Sequence, residues 1–279
     1  AALVKGGIQF AAIGVGHHIR RARENIGDHT HAVGVVGDRE DIQRTAIQNG
    51  VRVVVVTGGS QNIGLAIAQR FAESGAAVVS ADRLPPEDDR IEFMQTDVTS
   101  EAQVVALMEN VVQRHGRLDV LINNAGVSVE VPIQEMSEEQ WERVMNVNVK
   151  GAFLTTKHAL KPMTCEGVID PAIVNIASIE ALGANPLHAA YAASKGAITA
   201  FTHNTALEYG EHGIRCNAVS PGWINTPFND ALLSGHPNRS QLESQIKSLH
   251  PVGRLGQVTD IAEAVFWLAS GAAAFVSGQ

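Results

Sequence analysis

The chain predicts an α/β fold: a doubly wound parallel sheet in a three-layer α/β/α arrangement, built as a single domain with an atypical N-terminal extension. Three observations predict it. From residue 51 onward, short apolar runs alternate with amphipathic segments at helical period. The first of these runs empties into a glycine-rich turn that opens onto a helical segment. The next run closes on an acid, Asp82.

The elements follow in order. Residues 53–57, four valines and a threonine, read as a strand buried on both faces, because a half-exposed strand would alternate with polar residues. Residues 63–74 carry a helical pattern, 76–80 a second strand, 101–115 a helix, 120–122 a strand and 137–163 a long helix. Residues 173–176 and 216–219 complete the strands, separated by a helix over 191–211. Parallel strands joined this way require right-handed crossovers. Residues 226–257 are polar and irregular, with Pro227, Gly235, Pro237 and Pro251, and are expected to form a substrate loop within the 51–279 domain. Residues 1–50 stand apart as an atypical segment. A strand over 33–36 and a helix over 39–48, stopped by Asn49-Gly50, read as one βα unit with no function assigned.

With 279 residues, 45% apolar and 18% charged, the chain has the make-up of a globular enzyme with a sizeable core. Its net charge is −8, while residues 1–50 carry six Lys/Arg against five Asp/Glu, so the acidity belongs to the main domain. No basic stripe is present, which argues against nucleic acid or an anionic membrane as partner. Cys165 and Cys216 lack metal-type spacing, and two free thiols fit a reducing, cytoplasmic setting. No apolar run reaches membrane-spanning length, and residues 1–30 lack the layout of a secretory signal.

The turn Thr57-Gly58-Gly59-Ser60-Gln61-Asn62-Ile63-Gly64 sits between a strand and a helix. Such a turn presents backbone N–H groups at the positive end of the helix, suited to a pyrophosphate, and its glycines permit close approach. Asp82, at the end of the following strand, can accept both ribose hydroxyl protons and would repel a 2′-phosphate. Together these define a Rossmann-type nucleotide site. Arg83 could contact a 2′-phosphate, but Asp82 is nearer the expected ribose, so NAD is expected over NADP.

Tyr191 and Lys195 lie four residues apart on one helix face. A tyrosine hydroxyl titrates near about 10, and an ammonium held beside it would favour the phenolate. The pair is a candidate proton-transfer device.

In sequence order, Thr57-Gly58-x-x-x-Asn62-x-Gly64, Asp82, Asp97-Val98, Asn123-Asn124-Ala125-Gly126, Asn148, Ser178, Tyr191-x-x-x-Lys195 and Pro221-Gly222-x-x-x-Thr226 resemble the motif set of the classical short-chain dehydrogenase/reductases, over residues 51–279. The resemblance implies Tyr191 as general acid/base, Lys195 as the residue that lowers its pKa and binds the nicotinamide ribose, and Ser178 as the hydrogen-bond partner of the substrate oxygen. It implies that Asn148 holds a water in a proton relay from Lys195. For NAD it implies Gly58, Asn62, Ile63 and Gly64 at the pyrophosphate, and Asp82 and Arg83 at the adenosine ribose. Asp97 and Val98 would flank the adenine, with Asn124, Ala125 and Gly126 beneath the adenosine ribose. Pro221, Gly222, Ile224 and Thr226 would hold the nicotinamide, and Asn123 would brace the central strands. No metal is implied, and a dimer or tetramer is.

Two departures stand out. Asn62 replaces the family's second loop glycine; asparagine tolerates the left-handed backbone better than other side chains, so the loop is expected to keep its shape. The family's last strand, beside residues 216–219, follows a stretch like Phe275-Val276-Ser277-Gly278-Gln279, where this sequence ends. Ala1-Ala2-Leu3-Val4-Lys5-Gly6-Gly7 has the spacing of that strand, and residues 1–7 are expected to fill its place, as in a circular permutation.

The family's substrate wall corresponds to Val127, Glu180, Leu182, His188 and Trp223. Glu180 and His188 are polar, which suits a polyol, a sugar or another hydroxylated substrate. The expected activity is NAD(H)-linked interconversion of a small-molecule secondary alcohol and its ketone. Alternatives are a 3-oxoacyl thioester reductase, which Asp82 disfavours as such enzymes are often NADPH-linked, and a non-catalytic dinucleotide-binding sensor on the same fold.

Overall fold

Four consecutive valines and Thr57 form the strand β1 (Val53–Thr57), and all five residues are buried. The structure is a computed structural model that describes residues 51–183, 185–227, 229 and 238–279. After β1 come α1 (Asn62–Glu73), β2 (Ala77–Asp82), β3 (Glu92–Gln95), α2 (Glu101–His115), β4 (Val120–Asn123) and α3 (Glu138–Met145). A π-helical turn (Asn146–Lys150) joins α3 to α4 (Gly151–Met163), followed by β5 (Ala172–Ile176), α5 (Ala189–Tyr209), β6 (Arg215–Val219), α6 (Arg239–Leu249) and α7 (Val258–Ala269).

The valine run is explained by the period of two along a strand. Val54 and Val56 point into one core, with Ile67 and Phe71 of α1 and Ile261 and Val265 of α7. Val53 and Val55 point into the other, with Leu107 and Val111 of α2 and Ala159 and Met163 of α4. Every position therefore needs an apolar residue. The sheet runs β3-β2-β1-β4-β5-β6, with all pairings parallel. This order reverses the winding between β1 and β4, so the crossovers diverge there and leave a crevice at the carboxyl ends of the strands.

At the opposite end the sheet is tied by one carboxylate. Asp119 is fully buried; its oxygens accept from the backbone N–H of Val53 and of Ile169, both at 2.7 Å, and pair with the Arg117 guanidinium.

The expected strands and helices over 51–123 and 172–219 form, with ends shifted by a few residues. Three features differ from the expectation. β3 pairs with β2, yet its first three residues are only half-buried, Gln95 is exposed, and no apolar run is present. Residues 137–163 are not one helix, since the π turn interrupts them. Residues 226–257 are not wholly irregular, as they include α6. Helix α7 follows, its first turn fixed by a reciprocal bond pattern between Gln257 and Asp260. Residues 1–50, with the expected βα unit and the strand over 1–7, lie outside the described residues. At the β6 edge, the backbone N–H of Ala218 donates to Gln279 O at 2.6 Å and that of Gly278 to Cys216 O at 2.8 Å, so the last residues run alongside β6.

Replacing Asp119 with alanine leaves the buried Arg117 and the N–H groups of Val53 and Ile169 without this acceptor. A loss of about 3–5 kcal/mol is expected, read as a lower midpoint in urea unfolding.

Candidate active site

The crevice between β1 and β4 opens into a cleft of about 910 Å³. Its floor begins at the turn after β1. Gly58 has φ +62° and Asn62 φ +49°, so asparagine adopts the left-handed backbone expected of it. A Cβ on Gly64 would lie 2.0 Å from Gly58 O, so the turn closes only with glycine there. No side chain caps the first turn of α1 and it carries no acid, so its free N–H groups are available to an anion in the cleft. This is the shape and polarity a dinucleotide pyrophosphate requires.

The turn is fixed from both sides. Toward β2, the Ser60 N–H donates to Asp82 Oδ2 at 3.1 Å, and the Ser60 and Ser80 hydroxyls share a bond of 2.8 Å. Toward β4, Asn124 Nδ2 donates to Thr57 O at 3.0 Å and Gly58 O at 2.9 Å. Asp82 and Arg83 line the cleft at the end of β2, and Asp97 and Val98 at the end of β3. Bonds from the Thr99 N–H and hydroxyl hold the Asp97 carboxyl below its ordinary range. Asn124, Ala125, Gly126, Pro221, Gly222, Ile224 and Thr226 line the same cleft, so every residue expected at the cofactor borders one space. Asn123 does not reach it. It bonds Asn175 of β5 and Thr155 and Thr156 of α4, bracing the central strands as expected.

Ser178, Tyr191 and Lys195 line the same cleft. Ser178 follows β5, and its hydroxyl accepts from the Glu180 N–H at 3.2 Å. Tyr191 and Lys195 sit one turn apart on α5. Lys195 is 5% exposed, and Nζ donates to Ile176 O at 2.6 Å while lying 5.5 Å from the Tyr191 ring centroid. Burial lowers the Lys195 pKa to about 8.

The expected depression of Tyr191 by Lys195 does not occur in this arrangement. Burial pushes the Tyr191 hydroxyl above its ordinary value; the hydrogen bond with Ser178 pulls it partly back, and the Glu180 charge pushes it up again. The ammonium is directed at a backbone carbonyl, not at the phenol.

Asn148 is in the π turn, a feature frequent at functional sites. Its Oδ1 accepts from the Val127 N–H at 2.8 Å, and Nδ2 donates to Val127 O at 3.0 Å and Ser194 Oγ at 2.9 Å. Both amide protons are thus committed to holding the loop after β4 against α5. A Cβ on Gly126 would lie 3.4 Å from Asn148 Oδ1 and 3.6 Å from Lys195 Nζ, so both groups border the same small space.

Beyond Tyr191 the cleft is walled by Glu180 and His188, joined by residues the sequence did not single out. His188 Nδ1 is 2.9 Å from Glu180 Oε1, and Nε2 is 3.4 Å from Glu130 Oε1. Asn185 Nδ2 donates to Glu180 Oε1 at 2.9 Å. Glu130 reaches this wall because the Val131 N–H donates to Leu187 O at 3.0 Å, stitching the loop after β4 to the loop before α5. No spacing rule links residues 130 and 188, so only the fold reveals the pair. Arg143 and Ser128 also line the cleft, and the buried Ser128 hydroxyl has no partner. Trp223 lines the cleft as expected; Leu182, 89% exposed, does not. Among the described residues no group of His, Cys, Asp and Glu is arranged to hold a metal, and no helix is long and apolar enough to cross a membrane.

A doubly wound sheet with an anion-binding turn and a serine–tyrosine–lysine cluster in one cleft defines a nucleotide-dependent oxidoreductase. The chain belongs to the short-chain dehydrogenase/reductase family: the model described as enoyl-(acyl carrier protein) reductase matches residues 58–279. A DRTGG domain model matches residues 6–83. A cis-4-hydroxycyclohexanecarboxylate dehydrogenase of Sinomonas cyclohexanicum is 38% identical over 81% of this chain and 92% of its own. A 3-oxoacyl-[acyl-carrier-protein] reductase of Thermotoga maritima is 34% identical over 82% and 94%. Among solved structures, ligand-free aldohexose dehydrogenase of Thermoplasma acidophilum has a TM-score of 0.77 at 35% identity, covering 82% of this chain and 90% of that one. A NAD+-bound xylitol dehydrogenase has a TM-score of 0.74 at 31% identity, covering 81% and 95%.

The Lys195 shift has a sign that can be checked. Its folded pKa lies below the unfolded 10.5, so between about pH 8 and 10.5 the unfolded chain binds more protons and this group's contribution improves as pH rises. At pH 7 the desolvation penalty is fully present. Lys195→Met is therefore expected to raise stability at pH 7 by about 1–2 kcal/mol, with the gain shrinking toward pH 10, as followed by thermal unfolding across that range.

Proposed function

We propose that the protein is an NAD(H)-dependent dehydrogenase interconverting a secondary alcohol and its ketone, with a polyol, sugar or other hydroxylated molecule as substrate. The observation that carries the reading is the convergence of Ser178, Tyr191 and Lys195 in the cleft that also contains the anion-binding turn. When bound, NAD supplies the hydride acceptor for oxidation and, reduced, the donor for the reverse step. Tyr191 takes the carbinol proton at its phenolic oxygen in oxidation and gives it to the ketone oxygen in reduction. Ser178 donates a hydrogen bond to that same oxygen as its charge develops. Lys195 holds the cofactor ribose and passes the proton on through a water beside Gly126, a space that its Nζ and Asn148 Oδ1 both border. The raised Tyr191 pKa makes oxidation the direction that gains most from alkaline pH.

Asp82 supports NAD: its carboxylate closes β2 inside the cleft and would face a 2′-phosphate with like charge. Glu130, His188, Glu180 and Asn185 support a hydroxylated substrate, as together they offer acceptors and donors but little apolar surface. A second reading, 3-oxoacyl thioester reduction, draws support from the Thermotoga maritima relative. Two carboxylates in the wall and Asp82 weigh against it. Phe153 of α4 and Leu207 of α5 are exposed, and a homodimer or tetramer would cover them. A cytoplasmic location accords with the two free thiols.

NADH absorbance across polyols, hydroxysteroids and 3-hydroxyacyl compounds tests the substrate class; turnover confined to the acyl compounds would favour the second reading. Tyr191→Phe is expected to reduce kcat by about 10³-fold while leaving NADH binding intact, and undiminished turnover would sink the mechanism. The kcat/KM with NAD should exceed that with NADP by tenfold or more, and Asp82→Ala should narrow the ratio; a preference for NADP would overturn the cofactor assignment.

A further inference from the structure

The loop over residues 221–226 borders the cleft, and one histidine outside the cleft fixes it to α6. His250 follows α6 directly. Its Nδ1 is 2.8 Å from Ile246 O, and its Nε2 is 3.1 Å from the backbone N of Trp223. A carbonyl only accepts and an N–H only donates, so the ring is held as the neutral tautomer with its proton on Nδ1. The His250 main chain is engaged as well: its N–H donates to Lys247 O at 3.1 Å and its O accepts from the Gly253 N–H at 2.8 Å.

The loop is shaped to receive this ring. A Cβ on Gly222 would lie 2.6 Å from His250 Nε2 and 3.2 Å from Cδ2, so any side chain there would displace the imidazole. Gly222 has an ordinary negative φ, so contact with the ring is what demands glycine at this position. Further along, the Gly256 N–H donates to Trp223 O at 2.9 Å and the Asn225 N–H to Gly256 O at 2.8 Å. The stretch after His250 thus pairs with the loop that His250 pins, and Trp223 has both backbone groups bonded to this return segment.

We propose that His250 is a positioning residue: its neutral imidazole sets the distance between α6 and the Gly222–Trp223 backbone, and so the width of the cleft where the reactive end of the cofactor and the substrate meet. No other described side chain bonds the Trp223 N–H. Without the imidazole that donor faces the gap left by the ring, and the loop keeps its bonds to Gly256 but loses its tie at the end of α6. The proposal rests on the assignment of residues 221–226 to the reactive end of the cofactor. It adds a residue whose own atoms do not border the cleft.

The test compares wild type with His250→Leu, His250→Gln, Gly222→Ala and the Gly222→Ala/His250→Leu double variant. NADH dissociation constants are read from nicotinamide fluorescence, and KM and kcat from turnover, with thermal unfolding run alongside. His250→Leu is expected to weaken NADH binding or raise the alcohol KM roughly tenfold, with kcat at saturation changed less than about threefold. His250→Gln keeps an acceptor within reach of the Trp223 N–H and should recover most of the loss. Gly222→Ala should reproduce the leucine effect, and the double variant should be no worse than the poorer single, since both break one contact. Wild-type constants in His250→Leu, or additive losses in the double variant, overturn the proposal. If His250→Leu does not fold, Gly222→Ala decides: unchanged NADH binding and KM there also overturn it. A wild type that binds NADH but oxidises no alcohol would count against the dehydrogenase reading alone, because the NADH-binding comparison still decides the role of His250.

Discussion

Thr57 and Asn124 join the ends of two neighbouring strands, and both halves of the site hang on that junction. The Thr57 hydroxyl accepts from the N–H groups of Asn124 and Ala125 at 3.0 and 3.1 Å, and its own proton goes to Ile122 O at 3.3 Å. Asn124 returns two bonds to the carbonyls of Thr57 and Gly58. The anion-binding turn therefore cannot shift without moving the segment through Gly126, which abuts Asn148 and Lys195. A mostly buried network of this kind is costly to satisfy in part, so it holds the strand ends in one arrangement. It turns two loops that could move independently into one rigid floor.

The same rigidity permits an unfavourable side chain. An ammonium taken almost wholly out of water, as in Lys195, is a group folding alone would not select. It persists because Ile176 O, at the end of a fully buried strand, offers a fixed acceptor. Leu187 is comparable: its φ of +72° puts a branched side chain in a backbone region that suits glycine. Its carbonyl is the acceptor for Val131, and the strained residue sits beside His188. Such outliers concentrate where a site needs a geometry that the chain would not adopt unaided.

How far the sequence could be read follows from what each residue had to satisfy. The valines of β1 had two cores to fill, and the turn after it had to accommodate positive φ at Gly58 and Asn62, so pattern and residue type gave both away. Tyr191 and Lys195 share a helix, so spacing alone put them on one face. β3 left no such trace, because it is held by pairing with β2 and only half-buried. The π turn left no trace because five residues are too few to show a period of their own. Glu130 and His250 act through partners far along the chain, Leu187 with its neighbour in one case and Trp223 in the other, and no local pattern encodes those distances. For Tyr191, spacing told that a lysine was near, but not how deeply the hydroxyl is buried or where the ammonium points.

The bond from Val131 to Leu187 separates two kinds of information. Ser178, Tyr191 and Lys195 are anchored to the end of β5 and to α5, where any change disturbs the core. Glu130 belongs to the loop after β4, and Glu180, Asn185 and His188 to the stretch between β5 and α5; the backbone bond that joins these segments depends on no particular side chain. Residues at these four positions can be exchanged while the reaction centre stays in place. The fold thus keeps its chemistry in a fixed part and its choice of molecule in a replaceable one, and a lineage or an engineer can rewrite the second without relearning the first.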